Sequence, residues 1–149
     1  MFGADGRVYA RGHGADATFG DLSGKTLNSP IVAGAFDVFG DGYYEVGADG
    51  GVFTFGNAQF YGSAGNLVLS RPMVGMAASP DGGGYWLVDG TGTVHPYGNA
   101  VIFPGPSIDA STTFVLGIVS TTDGNGYWVF DIFGNVYPYG DAATYPFSG

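Results

Sequence analysis

One tripeptide sets the period of this chain. Gly42-Tyr43-Tyr44 returns as Gly84-Tyr85-Trp86 and again as Gly126-Tyr127-Trp128, each time 42 residues on. Val52, Val94 and Val136 keep the interval, as do Phe55-Gly56, Tyr97-Gly98 and Tyr139-Gly140, then Asn57-Ala58, Asn99-Ala100 and Asp141-Ala142. A chain with such a period repeats one supersecondary unit and buries a core only by stacking the copies. Residues 1–149 are read as a single repeat domain, with complete units at 30–71, 72–112 and 113–149 and a partial unit at 1–29. The partial unit rests on Met1-Phe2-Gly3-Ala4-Asp5-Gly6, which matches Glu45-Val46-Gly47-Ala48-Asp49-Gly50 in the middle of a unit, so the start reads as trimmed. Asp16-Ala17-Thr18-Phe19 likewise resembles Asp141-Ala142-Ala143-Thr144-Tyr145 with one residue missing.

Each unit holds four short apolar runs separated by Gly, Asp or Asn, the pattern of strands and hairpins. The first run (31–36, 73–78, 115–120) is rich in small residues, including Ala33, Gly75 and Gly117, which suits a crowded axis. The second carries Gly-Tyr-Trp, and the third alternates, Phe53 and Phe55 on one side, Val52 and Thr54 on the other. Pro96 and Pro138 replace Thr54, which calls for a bulge or an unpaired edge amide there. The fourth run holds Phe60-Tyr61, Ile102-Phe103 and Thr144-Tyr145. The fold expected is all-β, a β-propeller-like array of four-stranded antiparallel blades, since blades repeat every 40 to 45 residues or so. A β-trefoil, built from three four-stranded units, is the alternative, and the leftover partial unit counts against it.

Composition narrows the function. The 29 glycines and 45% hydrophobic residues exclude a disordered or long-helical chain. A formal charge of −9 excludes a phosphate backbone as partner, so no nucleic acid is expected. Without cysteine there is no disulfide framework and no thiolate zinc site. No run reaches the roughly 20 apolar residues that span a bilayer, so no membrane insertion is expected.

The second and third units, with Gly84-Tyr85-Trp86-Leu87-Val88, a following Gly-x-Val and Tyr97-Gly98-Asn99-Ala100, resemble the glycine- and aromatic-rich repeat arrays of actinobacterial extracellular proteins. The resemblance covers nearly the whole chain. It implies an appendage at the cell surface that binds or scaffolds rather than catalyses. Tyr44 in place of tryptophan and His95 in place of Phe53 or Tyr137 depart from strict repetition.

Two residue sets are candidate ligand contacts. Tyr44, Trp86 and Trp128 share one register position and present flat rings of the kind that stack on sugars, or else form blade-packing core. Asn57, Asn99 and Asp141 follow a glycine in the turn after the third run, where they form a ligand ring or serve only as turn residues. Asp81 and Asp123 lie in glycine-rich turns without the spacing of a calcium loop, and no metal or cofactor is expected. His13 and His95 are the two histidines, and neither sits in a catalytic constellation. Ile132 and Phe133 put an apolar tip on a turn that is polar in the other units, a candidate contact with a partner or second copy. The function expected is a non-catalytic extracellular module binding carbohydrate or a cell-envelope polymer. The alternative is a self-assembling protein that forms a dimer, ring or filament through its incomplete repeat, and a glycoside hydrolase comes third.

Overall fold

The computed structural model describes residues 4–6, 22, 26–27 and 29–143. Nine strands follow in order: β1 (Ile31–Phe36), β2 (Gly42–Gly47), β3 (Val52–Gly56), β4 (Met73–Ala78), β5 (Gly84–Asp89), β6 (Val94–Gly98), β7 (Val115–Ser120), β8 (Gly126–Asp131) and β9 (Val136–Gly140). They form three separate antiparallel sheets, ordered β1-β2-β3, β4-β5-β6 and β7-β8-β9. The first strand of each sheet packs on its counterpart in the next, β4 lying between β1 and β7. These strands are the inner edges, and the sheets radiate from them as blades. Three sheets that stay separate and share an axis make the arrangement propeller-like.

Glycine permits both the turns and the packing. In the second-to-third-strand turns, Gly50, Gly92 and Gly134 hold φ of 90°, 89° and 82°, a region that side chains with a Cβ avoid. The first residue of each Gly-Tyr-Trp element is glycine for another reason. A Cβ on Gly84 would fall on the Tyr97 carbonyl oxygen and lie 2.8 Å from the Ala100 nitrogen, both backbone atoms. The inner strands also come close: a Cβ on Gly75 would lie 3.0 Å from the Cα of Gly117.

Among the described residues the blades are three-stranded, not four-stranded as the runs suggest. The fourth run crosses to the next blade. Tyr61 N–H donates to the Tyr85 hydroxyl at 3.1 Å, and the Tyr61 hydroxyl donates to Gly82 O at 2.6 Å. In the next unit Phe103 N–H donates to the Tyr127 hydroxyl at 3.4 Å, and Gly140 N–H of β9 donates to Pro104 O at 2.9 Å. Pro104 and Pro106 have no N–H to return, so this segment borders the outer strand without forming a ladder. One sequence unit therefore contributes to two blades. The fourth run of the last unit, Thr144-Tyr145, lies outside the described residues, as do His13 and most of the partial unit.

The prolines of the third run sit in register, Pro96 opposite Trp86 and Pro138 opposite Trp128, on the outer strand where a missing amide is tolerated. The bulges fall instead on the inner strands, between Ile31 and Ala33, Met73 and Gly75, and Val115 and Gly117. Arg71 ties the blades together, its guanidinium donating to Gly90 O, Thr113 O and Ala110 O and lying 3.9 Å from the centre of the Phe114 ring.

Two hydrophobic clusters fill the junctions between blades. Tyr44, Val46 and Ala58 of the first blade meet Met73, Met76, Tyr85 and Leu87 of the second. Ala77, Trp86, Val88 and Val94 of the second meet Val115, Ile118, Tyr127 and Val129 of the third. Each blade thus has a leading face, carrying the tyrosine of Gly-Tyr-Trp, and a trailing face, carrying the residue after it. With a blade on either side, β5 is buried along its whole length. In β8 the alternation returns, because Trp128 and Phe130 on the trailing side are only half-buried.

Candidate functional site

The trailing-face aromatics do different work at the three positions. The Tyr44 ring meets the Tyr85 ring edge-on, centroids 5.1 Å apart, and its hydroxyl donates to Gln59 O at 2.9 Å. The Trp86 ring packs on Tyr127 at 5.6 Å, and its indole N–H donates to Val101 O at 2.7 Å. Tyr44 and Trp86 keep 3% and 1% of their surface, so no ring face is left for a sugar; of the two readings, these residues follow the packing one. Burial pushes the Tyr44 hydroxyl up to about 12, where it stays a neutral donor. Trp128 makes the equivalent bond to Ala143 O at 2.8 Å, yet its ring stands half-buried on the outermost trailing face.

Asn57, Asn99 and Asp141 are exposed on one rim, each beside an aspartate of the turn between the first two strands of its blade. Asn57 donates to Asp41 at 3.0 Å and Asn99 to Asp81 at 2.6 Å. Asp81 also accepts from the Ser79 hydroxyl at 2.7 Å and Gly83 N–H at 2.8 Å. Bonds from Ser79, Gly83 and Asn99 hold its carboxyl below the usual range. In the third blade the amide is replaced by a second carboxyl. The bond from Asp141 draws Asp123 down to about 2, with help from the Thr121 hydroxyl and Asn125 N–H, while Asp123 raises Asp141. The folded chain therefore holds the Asp141 proton more tightly than the unfolded chain does. That stabilisation is present at low pH and lost as pH rises through the folded pKa. Asp141→Asn supplies a permanent donor like Asn99. Its melting temperature is expected to exceed that of the parent chain at pH 7 and to match it near pH 3, by calorimetry across pH.

Where this rim crosses the second junction, a cleft of about 220 Å³ opens between blades two and three. Asp81, Asn99, Asp123 and Asn125 form its polar walls, and Trp86 and Phe103 its apolar side. Sequence reasoning singled out Asn99 but not Asn125, which aligns with Asp41 and Gly83 and so gives no repeating signal.

On the opposite rim, Asp89 and Asp131 are buried under the turns between second and third strands. Asp89 accepts from Thr91 N–H at 2.9 Å and faces His95 at 3.1 Å. Asp131 accepts from the Tyr137 hydroxyl at 2.9 Å, the Asn135 amide at 3.0 Å and the Thr113 hydroxyl at 2.9 Å. Burial pushes the Asp131 carboxyl up, but the bonds from Asn135, Thr113 and Tyr137 outweigh it and hold the group at about 2. His95 and Tyr137 occupy the same register position on the same kind of aspartate, so the histidine is a turn clamp. Ile132 and Phe133 lie at this rim, 47% and 67% exposed. The residues that sequence reasoning missed are Leu116 and Val119, 51% and 50% exposed on β7 beside Trp128 and Phe130. Among the described residues no three His, Asp or Glu side chains gather as a metal site.

The chain matches no protein-family model and no curated protein. Its fold does match solved structures, 35 chains among them, and is propeller-like. One of them is the crystal structure of the C-terminal WD40 domain of Sif2, 17% identical over 80% of this chain, with a TM-score of 0.53. The match takes in 36% of that chain, so this protein spans about a third of its length.

Proposed function

We propose that the chain is a non-catalytic propeller module of an extracellular or cell-surface protein, which binds a neutral carbohydrate in the cleft between blades two and three. The observation that carries this reading is the cleft's lining. Asn99 and Asn125 offer both donors and acceptors, Asp81 and Asp123 offer acceptors, and the half-buried Phe103 with Val101 gives an apolar side for C–H faces. Hydroxyls of a sugar match that mixture, and the Phe103 ring suits its apolar surface. The charge of −9 repels phosphate- or uronate-bearing polymers, which leaves uncharged glycans as the favoured class. The resemblance to actinobacterial extracellular arrays supports a cell-envelope polymer as the source.

Calorimetric titration with neutral cell-wall oligosaccharides (galactan, glucan and mannan fragments) tests this. At least one is expected to bind, and the double substitution Asn99→Ala with Asn125→Ala to weaken it tenfold or more, about 1.4 kcal/mol. Absence of binding by every neutral glycan, or binding undiminished in the double variant, would overturn the assignment.

A further inference from the structure

We infer that the Gly124 carbonyl anchors the ligand in the cleft: a hydroxyl of the bound sugar donates to it, in the place that the Tyr61 hydroxyl holds at the first junction. This rests on the carbohydrate reading of the cleft and names the contact that fixes the sugar there. Tyr61 and Phe103 share a register position, 42 residues apart. Tyr61 N–H donates to the Tyr85 hydroxyl, and Phe103 N–H to the Tyr127 hydroxyl. Their rings also lie alike, Tyr61 on Tyr85 with centroids 5.8 Å apart and planes at 60°, Phe103 on Tyr127 at 5.7 Å and 56°.

At the first junction the Tyr61 hydroxyl reaches on to Gly82 O at 2.6 Å. Gly124 is the counterpart of Gly82, in a turn of the same shape. Gly82 N–H donates to Ser79 O at 3.0 Å and Gly124 N–H to Thr121 O at 3.2 Å, with φ of 75° and 73°. The Gly124 carbonyl is therefore presented to the tip of the Phe103 ring, which has no hydroxyl to give. The space above it is open as well. A Cβ on Gly82 would lie 2.8 Å from the Phe39 ring and 3.2 Å from Val38, so both side chains cover that glycine. In the next unit Pro80 replaces Val38 and Asp81 replaces Phe39. Pro80 still touches Gly124, but the Asp81 carboxylate turns to Ser79, Gly83 and Asn99. Two changes, ring to carboxylate and tyrosine to phenylalanine, thus uncover the carbonyl and remove its internal donor. The result is the cleft that Phe103 and Gly124 both line.

The missing group defines the ligand chemistry. It is a hydroxyl carried on an apolar ring, and a sugar hydroxyl beside a C–H face has the same make-up. It must donate, because a carbonyl and the neighbouring carboxylates of Asp81 and Asp123 only accept. The Asn125 amide, on the same wall, can return a donor to the sugar oxygen.

Phe103→Tyr tests the anchor by restoring the internal donor. Its hydroxyl is expected to bond to Gly124 O as Tyr61 bonds to Gly82 O, so the variant melts above the parent chain. Titrated with the same galactan, glucan and mannan fragments, it is expected to bind about tenfold or more weakly than the parent. Tyr61→Phe, which lies outside the cleft, is expected to melt below the parent and to bind as the parent does. Glycan binding that Phe103→Tyr leaves unchanged or tightens overturns the anchor and leaves the carbohydrate reading standing. A Phe103→Tyr chain that melts no higher than the parent, or does not fold, also overturns the anchor, because its hydroxyl then fails to reach the carbonyl. If no fragment binds the parent chain, the carbohydrate reading fails and the anchor fails with it.

Discussion

Trp86→Ala is expected to destabilise the chain by about 3–5 kcal/mol, the range for truncating a large aromatic in a packed core. The indole is 1% exposed, packs on Tyr127 and Phe103, and donates to Val101 O. Its loss leaves a cavity at the junction of two blades and an orphaned carbonyl at the cleft. Trp128→Ala removes the same side chain from the same register, where it is half-buried and has no blade behind it among the described residues. Its cost in the monomer is expected to be less than half that of Trp86→Ala. Urea unfolding of both variants at equal, dilute concentration checks the ratio; equal costs would mean that Trp128 is packed as deeply as Trp86.

Gly84→Ala is expected to cost about 3 kcal/mol, the upper end of what forcing a methyl into a packed interior usually costs. The added carbon meets the Tyr97 carbonyl oxygen and the Ala100 amide, which belong to the paired strand and its turn. Neither can swing away as a side chain would, so the hairpin must open. The turn it would open carries Asn99, so lost stability and a weakened cleft are expected together. The contrast is Gly134→Ala, where a Cβ meets nothing within 4 Å and only the positive φ is at stake. Thermal unfolding of the two variants separates steric from conformational cost: the Gly84 variant is expected to melt well below the Gly134 variant, and the reverse order would contradict the close approach at Gly84.

The strands were legible because local chemistry repeats. Runs at 31–36, 73–78 and 115–120 appear as the inner strands with the same ends, and the small residues Gly75 and Gly117 do meet at the axis. The fourth strand was misread because Phe60-Tyr61 and Ile102-Phe103 have strand composition, whereas their partners are supplied by the following blade. Periodicity reports which residues recur and is silent on which sheet they join. The site was legible in part. Asn57 and Asn99 stand on the rim where their turns put them, and Asp81 recurs as Asp123, but Asp41, the partner of Asn57, is out of register with both and leaves no periodic trace. Val119 and Phe130 were passed over, because they differ from Ala35 and Ala77, and from Val46 and Val88, only in being larger apolar residues at repeating positions. Their meaning depends on which face each strand residue takes and on whether a blade lies beyond it, and both come from tertiary structure.

All of this rests on one register position being fully buried at two junctions and half-buried at the third. The chain holds two tryptophans, both at that position, so labelling with 5-fluorotryptophan gives one fluorine resonance for each. Trp128→Phe assigns them. With a soluble paramagnetic agent added to dilute protein, the Trp128 resonance is expected to broaden strongly while that of Trp86 stays sharp. Equal broadening of the two, or a Trp128 signal as protected as that of Trp86, would contradict the arrangement of blades.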